Sequence, residues 1–504
     1  MFRDNEFCNV ELERIYRKRH YDWKTDGRDL DELVGLVRDD GETFEAGVVV
    51  GDPDTLAEEF FLKLGIRRFR NVDHHVAHAA AAFYQSPFDH SLLISYDGGG
   101  NDGTFRTFIG RRGTGVTPLA VDFPLNLGIP YRALANPIAD IHKPDDGKER
   151  TNAGKLMGLA AYGTVRPEWI GPMASYYQAC STIAMTGTMY LRVLDRLRDL
   201  GKEIGVCLSR DALSGADAYD LARTGQHVFE MLFLERVLPL VKKYALPICI
   251  SGGCALNVLM NQRLSEITGL PMFVPPNPND CGLALGAILF VTNPRDPVEA
   301  TYSGVPPLDG HQLPARVAEL GAVEARAADV ARLLSQGAVV AVMRGNSEHG
   351  PRALGNRSIL CDPSIKGMKD RLNLRVKFRE AFRPYAPVVR AEDAGLYFEN
   401  TGQNEMPYMS FNPTVRVQWR DAFASAVHVD GTARVQTVTR EQNRWLTEVL
   451  TEFHKLKGYG ALLNTSFNVK GKPMVATISD ALTVFLSTDI DYLVIDDWLF
   501  SKPQ

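Results

Sequence analysis

The sequence predicts a two-domain α/β protein, and three observations carry that expectation. Short apolar runs that end in turn residues, LLISYD at 92–97 and LPICISGG at 246–253, have the form of buried strands. Residues 217–244 place apolar side chains at helical spacing, which predicts one long helix. Residues 294–314 then bring five prolines and two glycines, which interrupt any regular period and predict an interdomain linker. At about 150 residues per domain the 504 residues allow two or three domains, and this break divides them as 1–300 and 315–504.

Taken in order, the elements follow from local chemistry. The alanine run in DHHVAHAAAAF favours a helix, and Asp73 is a suitable N-cap for it. The strand at 92–97 runs into a glycine-rich turn, SYDGGGNDGT. The strand at 246–253 is followed by Gly-Gly and a further helix. Another helix is expected from Leu283 to the proline-bearing segment. Beyond it, 330–345 reads as helix, turn and buried strand, and 459–468 as a strand closed by a VKGKP turn. Each half is therefore α/β or α+β.

Composition narrows the function. A formal net charge of −5 argues against a general nucleic-acid or anionic-membrane binder, though a local basic groove remains compatible with it. The seven cysteines form no CxxC pair, so neither a disulfide framework nor a zinc ribbon is expected. The N-terminal stretch lacks an apolar signal core, and no apolar run reaches about 18 residues, so a cytoplasmic protein is expected.

Five segments can carry chemistry. On a helix, His74 and His78 stand at i and i+4 and share a face, so both can bind one metal, or simply cap and hydrogen-bond locally. His75 points about 100° away. Asp97 ends a strand just before Gly98, Gly99 and Gly100, where exposed backbone N–H groups can meet a phosphate and the carboxylate its cation; an ordinary hairpin is the alternative. Gly252, Gly253 and Asn257 form a strand–turn–helix junction, suited to a nucleotide or to tight packing. Asp280 either caps the helix that follows or supplies a late metal ligand. In the second half Arg352, Arg357, Lys377, Arg379 and Arg383 cluster in turns with Ser466 and Asn468, a donor set suited to phosphates or carboxylates, although any one of them alone reads as a surface charge.

In order along the chain stand DHHVAHAAAAF, SYDGGGNDGT, GKLMGLAAYG, ISGGCALNVLMNQRL, NPNDCGLALGA, GPRALGNRSIL, FREAFRPYAPVV and LLNTSFNVKGKP. Together they resemble the NodU/CmcH family of O-carbamoyltransferases over nearly the whole chain. The resemblance implies an N-terminal domain of the actin/sugar-kinase-like ATPase fold, similar to the tRNA threonylcarbamoyl-transferase, and a C-terminal YrdC-like α+β domain. It implies that the second domain makes carbamoyl-adenylate from carbamoyl phosphate and ATP. The first would then transfer the carbamoyl group to an acceptor hydroxyl with a divalent metal, Fe2+ or Mg2+. Carried over by position, His74, Asp97 and Asp280 would hold the metal, with His78 a ligand or base. Gly98, Gly99, Gly100, Gly252, Gly253 and Asn257 would hold the nucleotide. Lys377 with Arg379 and Ser466 with Asn468 match the YrdC-like KxR and SxN pairs, and Arg352 and Arg357 would complete the phosphate pocket.

Two departures from the family pattern stand out. A strand–turn–strand element usually precedes the segment matched here by ELERIYRKRH, so the first phosphate-binding hairpin is expected to be missing. Arg344-Gly345-Asn346 replaces the usual QGR, so Arg344 receives no role. The acceptor expected is a small hydroxylated metabolite, with its contacts in 106–216, where no motif is readable; a homodimer is compatible. The basic string Arg14, Arg17, Lys18, Arg19 and His20 motivates an alternative acceptor, a nucleic-acid hydroxyl such as that of a hydroxymethylated pyrimidine. A further alternative is a nucleotide-binding protein that has lost catalysis along with its hairpin.

Overall fold

Mostly buried strands build two large sheets, beside three two-stranded ones, in the computed structural model, which describes residues 2–3, 6–17, 31, 34–35, 44–51, 55–99, 104–119, 125–141, 152–183, 188–402 and 405–502. The first sheet has five strands in the order Gly115–Pro118, Phe105–Arg111, His90–Tyr96, Ile248–Ser251, Met272–Phe273. Its first three strands are antiparallel and its last three parallel. His90–Tyr96 is the hinge of this arrangement, and six of its seven residues are buried, as the central strand of a covered sheet requires. The turn after it is a hairpin: the Asp97 N–H donates to the Thr104 carbonyl at 2.9 Å.

The helix expected at 217–244 spans Gly215–Tyr244 and packs Phe229 and Phe233 against Tyr96. Each such fully buried aromatic contributes on the order of 1.5–3 kcal/mol. The second predicted helix spans Leu283–Thr292 and stops at Asn293, which turns left-handed. It crosses the helix His74–Gln85 so closely that a Cβ on Gly286 would lie 2.0 Å from the Ala77 carbonyl oxygen. The alanines of DHHVAHAAAAF make that crossing possible, since larger side chains would hold the helices apart.

The second sheet has eight strands, in the order Val323–Glu324, Trp498–Ser501, Tyr492–Ile495, Val340–Met343, Arg357–Cys361, Ala461–Ser466, Ala386–Arg390, Gln436–Val438. Both its faces are covered. Val340, Val342 and Leu360 join one apolar cluster, whereas Val339, Ala341, Met343, Ile359 and Cys361 join another, the period-2 alternation of a strand. The first of these clusters is continuous with the core around Tyr96, Phe229 and Phe233, so the two sheets share apolar packing.

The segment 294–314 is not a free tether. Val298 N–H donates to the Tyr84 carbonyl on one side, and Leu308 N–H to the Ala476 carbonyl on the other. Asp309 accepts from the N–H groups of Ile478 and Ser479. Its prolines interrupt any long helix or ladder, leaving a 3-10 turn at Gly310–Gln312 and a bridge from Gly304 to Asn9, while other groups of the segment pair with both sides. All seven cysteines are free thiols. No helix among the described residues is long and apolar enough to cross a membrane.

Candidate functional site

The helix His74–Gln85 begins where Asp73 accepts hydrogen bonds from the N–H groups of His75 and Val76, at 2.8 and 3.0 Å, a cap worth about 1 kcal/mol. The capped start aims His74 and His78 at the end of strand His90–Tyr96, where Asp97 sits. His75 points elsewhere, and its Nδ1 lies 2.8 Å from Ser95 Oγ in the core. Asp280 does not cap the following helix. It occupies a short 3-10 turn, Asp280–Gly282, which leaves its carboxylate available.

These four side chains converge, with one donor atom from each lying within 4.8 Å of the others. His74 Nε2 is 3.2 Å from Asp97 Oδ2 and 3.8 Å from Asp280 Oδ1. His78 Nε2 is 3.6 Å from Asp280 Oδ1 and 3.1 Å from His74 Nε2. Ligands about 2.1 Å from a shared ion stand about 3.0–3.4 Å from one another, so the quartet nearly has the spacing of a coordination sphere. Two imidazoles in the set suit Fe2+ better than Mg2+, which prefers oxygen ligands. The Asp280 side chain is 65% exposed, so the cluster opens to solvent on that side.

Electrostatics reinforce the arrangement. Burial alone would raise the Asp97 carboxyl, but the hydrogen bond with His74, the nearby His78 and the Gly253 N–H hold it well below the usual carboxylate range. Burial likewise opposes charge on His74, yet Asp97, Asp280 and Asp73 outweigh it and raise its pKa.

The glycines beside the quartet are engaged differently. Gly98 and Gly99 are half-buried, and Gly100 lies outside the described residues. Gly252 has φ +92°, and a Cβ there would fall 2.0 Å from the Tyr96 carbonyl oxygen. Gly253 donates its N–H to Asp97 at 2.7 Å. Asn257 caps helix Val258–Thr268 and exchanges two hydrogen bonds with Gln226. This trio therefore serves the close approach of two strand ends, with its polar groups already paired.

In the second half Lys377 comes together with Ser466 and Asn468. Its ammonium donates to the Ser466 and Asn468 carbonyls at 2.6 and 2.8 Å, and to both of their side chains. Three protons facing four acceptors saturate it, so Lys377 orders the NTSFN turn. The following Phe378 is left-handed, φ +48°, after a π-helical turn Leu372–Lys377. This sends Arg379 the other way, stacked 4.2 Å over Tyr385 and donating to Asn373 Oδ1 at 3.0 Å. Arg357 is fully buried and donates to the carbonyls of Arg344, Gly345 and Asn356.

Arg434 carries no signal in its sequence neighbourhood, yet it is central. Burial first, then the like charges of Arg352, Arg379 and Arg383, push its pKa far down. Burial brings Arg352 down to about 10. Neither Arg352 Nε nor Arg434 Nε has a hydrogen-bond partner. Crowded, half-buried cations, two of them with an unpaired Nε among the described residues, are suited to hold an anion. From the first half, Lys155 pairs with Glu380 at 3.1 Å, and Arg383 lies 3.7 Å from the same carboxylate, so GKLMGLAAYG borders the pocket.

The basic string at the N-terminus is largely occupied. Arg14 donates to the Glu348 and Gly350 carbonyls, and Arg17 pairs with Asp480 at 3.0 Å. Lys18, Arg19 and His20 lie outside the described residues.

The chain also resembles known proteins along its length. Residues 49–289 match the family described as Carbamoyltransferase N-terminus, and 331–502 match Carbamoyltransferase C-terminus. Nodulation protein NolNO of Sinorhizobium fredii is 36% identical across 98% of this chain and 70% of its own length. The chain belongs to the carbamoyltransferase family. This carbamoyltransferase is thus a transferase enzyme, and other relatives agree. Nodulation protein NolO of Bradyrhizobium diazoefficiens is 35% identical over 86% of this chain and 79% of its own. Nodulation protein U of Sinorhizobium fredii is 32% identical over 88% and 80%. Among solved structures, full-length HypF in its phosphate- and nucleotide-bound form aligns over 49% of this chain and 46% of its own, at 13% identity and a TM-score of 0.28, too low to inform the fold.

Proposed function

We propose that this carbamoyltransferase is ATP-dependent and makes carbamoyl-adenylate before transfer to a small hydroxylated acceptor. The observation that carries the reading is the pocket of Arg352, Arg379, Arg383 and Arg434, whose crowded cations call for a polyanion. In balanced form, carbamoyl phosphate and water give carbamate and phosphate. A carbamate oxygen attacks the α-phosphorus of ATP and expels pyrophosphate. The acceptor oxygen then attacks the carbamoyl carbon, releasing AMP and a proton.

In this reading the four arginines hold two polyanions side by side and offset their repulsion. Lys377 holds Ser466 and Asn468 in a fixed turn of the same half. A site screened from water between the two halves would protect the intermediate from hydrolysis. In the first half His74, His78, Asp97 and Asp280 would hold a divalent cation, which supplies Lewis acidity toward phosphate or carbonyl oxygen when bound. With His74, Asp97 and Asp280 as ligands, His78, whose Nε2 lies 3.1 Å from His74 Nε2, is either a fourth ligand or the base that takes the acceptor proton. The domain division at 294–314, an ATPase-like first half and a YrdC-like second half belong to the same proposal.

The deciding assay incubates the protein with ATP, carbamoyl phosphate, Fe2+ and a panel of alcohols, and reads AMP and carbamate esters by mass spectrometry. AMP formation that requires carbamoyl phosphate supports the reading; its absence with every divalent metal tried rejects it.

A further inference from the structure

The loop that carries Asp280 belongs to the first half, but its shape is set in part from the second. His349 is buried, at 1% exposure, and lies 72 residues beyond Asn277. Its Nε2 is 2.8 Å from the Cys281 carbonyl oxygen, next in sequence to Asp280. A carbonyl can only accept, so Nε2 carries the proton. Nδ1 is then a lone pair, and it stands 2.8 Å from Asn277 Nδ2, which donates to it. Asn277 Oδ1 in turn accepts from Gln85 Nε2 at 3.0 Å, and Gln85 is the last residue of the helix bearing His74 and His78. One imidazole therefore spans both ends of the loop and ties it to the histidine helix through a chain of directed hydrogen bonds.

The turn that presents His349 is itself rigid. Glu348 Oε1 accepts from the N–H groups of Leu354, Asn356 and Arg357, at 2.7, 2.8 and 3.0 Å. Gly350 has φ +131°, and a Cβ there would lie 2.2 Å from the Pro276 carbonyl oxygen. Arg352, two residues on, belongs to the cationic pocket. A side chain attached to the pocket's turn thus holds the loop of the histidine–aspartate quartet.

We propose that His349 is a positioning residue, supplied by the second half, that holds the Asp280 loop in the arrangement the quartet needs to bind its cation. The proposal rests on the reading of that quartet as a cation site. Because a metal site tolerates ligand displacements of only about 0.2 Å, releasing the loop at both ends should weaken binding without touching a ligand.

The test titrates Fe2+ anaerobically into the intact parent chain, His349→Phe and His349→Gln by calorimetry, with folding checked by circular dichroism. Phe keeps the volume and loses both hydrogen bonds; Gln keeps a donor toward Cys281. His349→Phe is expected to bind Fe2+ about tenfold more weakly, the low end for outer-shell partners. Its thermal shift with inorganic phosphate, a readout of the arginine pocket, should match the parent's. His349→Gln should recover most of the affinity. Parent-like Fe2+ binding by His349→Phe overturns the proposal, and so does a His349→Gln variant as weak as His349→Phe. A parent chain that takes up no Fe2+ overturns the cation-site reading itself, before any variant is compared. Should His349→Phe not fold, Asn277→Ser removes the same hydrogen bond from the other side and takes its place.

Discussion

Replacing Gly286 with alanine sets a methyl group where two helices touch. The new Cβ would stand 2.0 Å from the Ala77 carbonyl oxygen and 3.1 Å from the Ala81 Cβ. An ordinary carbon–oxygen contact is about 3.3 Å, so helices His74–Gln85 and Leu283–Thr292 must part by roughly 1 Å. Overpacking of this kind costs about 1–3 kcal/mol, offset by about 0.5–1 kcal/mol from the better helix propensity of alanine. The net loss of about 1–2 kcal/mol should lower Tm by about 2–6 °C. The larger effect falls on the site, because one helix carries His74 and His78 and the other follows the short turn that carries Asp280. A 1 Å separation exceeds what a metal site tolerates by several-fold, so Fe2+ affinity should fall at least about tenfold. Calorimetric titration and thermal melts of G286A measure both. Gly154→Ala is the control, since a Cβ there meets nothing within 4 Å, and it should leave Tm unchanged or slightly higher. If G286A melts and binds Fe2+ like the parent, the close crossing is not what seats the quartet, and the reasoning fails.

Three further outcomes follow from the same geometry. Inorganic phosphate should raise the parent's Tm by filling the arginine pocket, and Arg434→Gln should abolish that shift without lowering the melt in phosphate-free buffer, because it also removes a like charge from the crowd; a preserved phosphate shift would count against the pocket. Asp97→Asn removes a carboxylate from the quartet that would hold the cation and should cut carbamoyl transfer about 100-fold, measured as carbamate ester formed per minute, so near-parental turnover would exclude the assigned role. His349 is held down to about 4 by burial, against 6.5 in an open chain, so the unfolded state alone takes up its proton between those values. Stability should be full above about pH 6.5 and fall by roughly 3 kcal/mol as pH drops toward 4, and His349→Gln should flatten that part of a urea-denaturation profile against pH.

How much of this is legible in the sequence depends on the range of the interaction. Asp73 capping two backbone N–H groups, His74 and His78 on one helix face and Asp97 at a strand end all follow from neighbours within a turn or a strand. So do the helix Gly215–Tyr244 and the stop at Asn293. Asp280 is readable as a candidate, but whether it caps its helix or joins the histidines depends on the helix crossing at Gly286. The segment 294–314 reads as a linker because prolines remove periodicity, and nothing local announces that its carbonyls and Asp309 will be claimed from both sides. Lys377 and Arg379 stand two residues apart with nothing to say that Phe378 turns the chain and sends one to a structural knot and the other to the pocket.

The residues that escape a linear reading altogether are Arg434, Glu348 and His349. Their partners lie in other elements: Arg434 feels Arg352, Arg379 and Arg383, and His349 reaches Asn277 and Cys281. By itself the sequence determined the elements, their caps and the kinds of side chain that could do chemistry, because these are set by steric preference and hydrogen bonds between near neighbours. Only the tertiary structure decided which of those side chains meet. Burial strips them of water, and a charge or lone pair so exposed to its neighbours takes its character from whatever the fold has placed a few ångströms away.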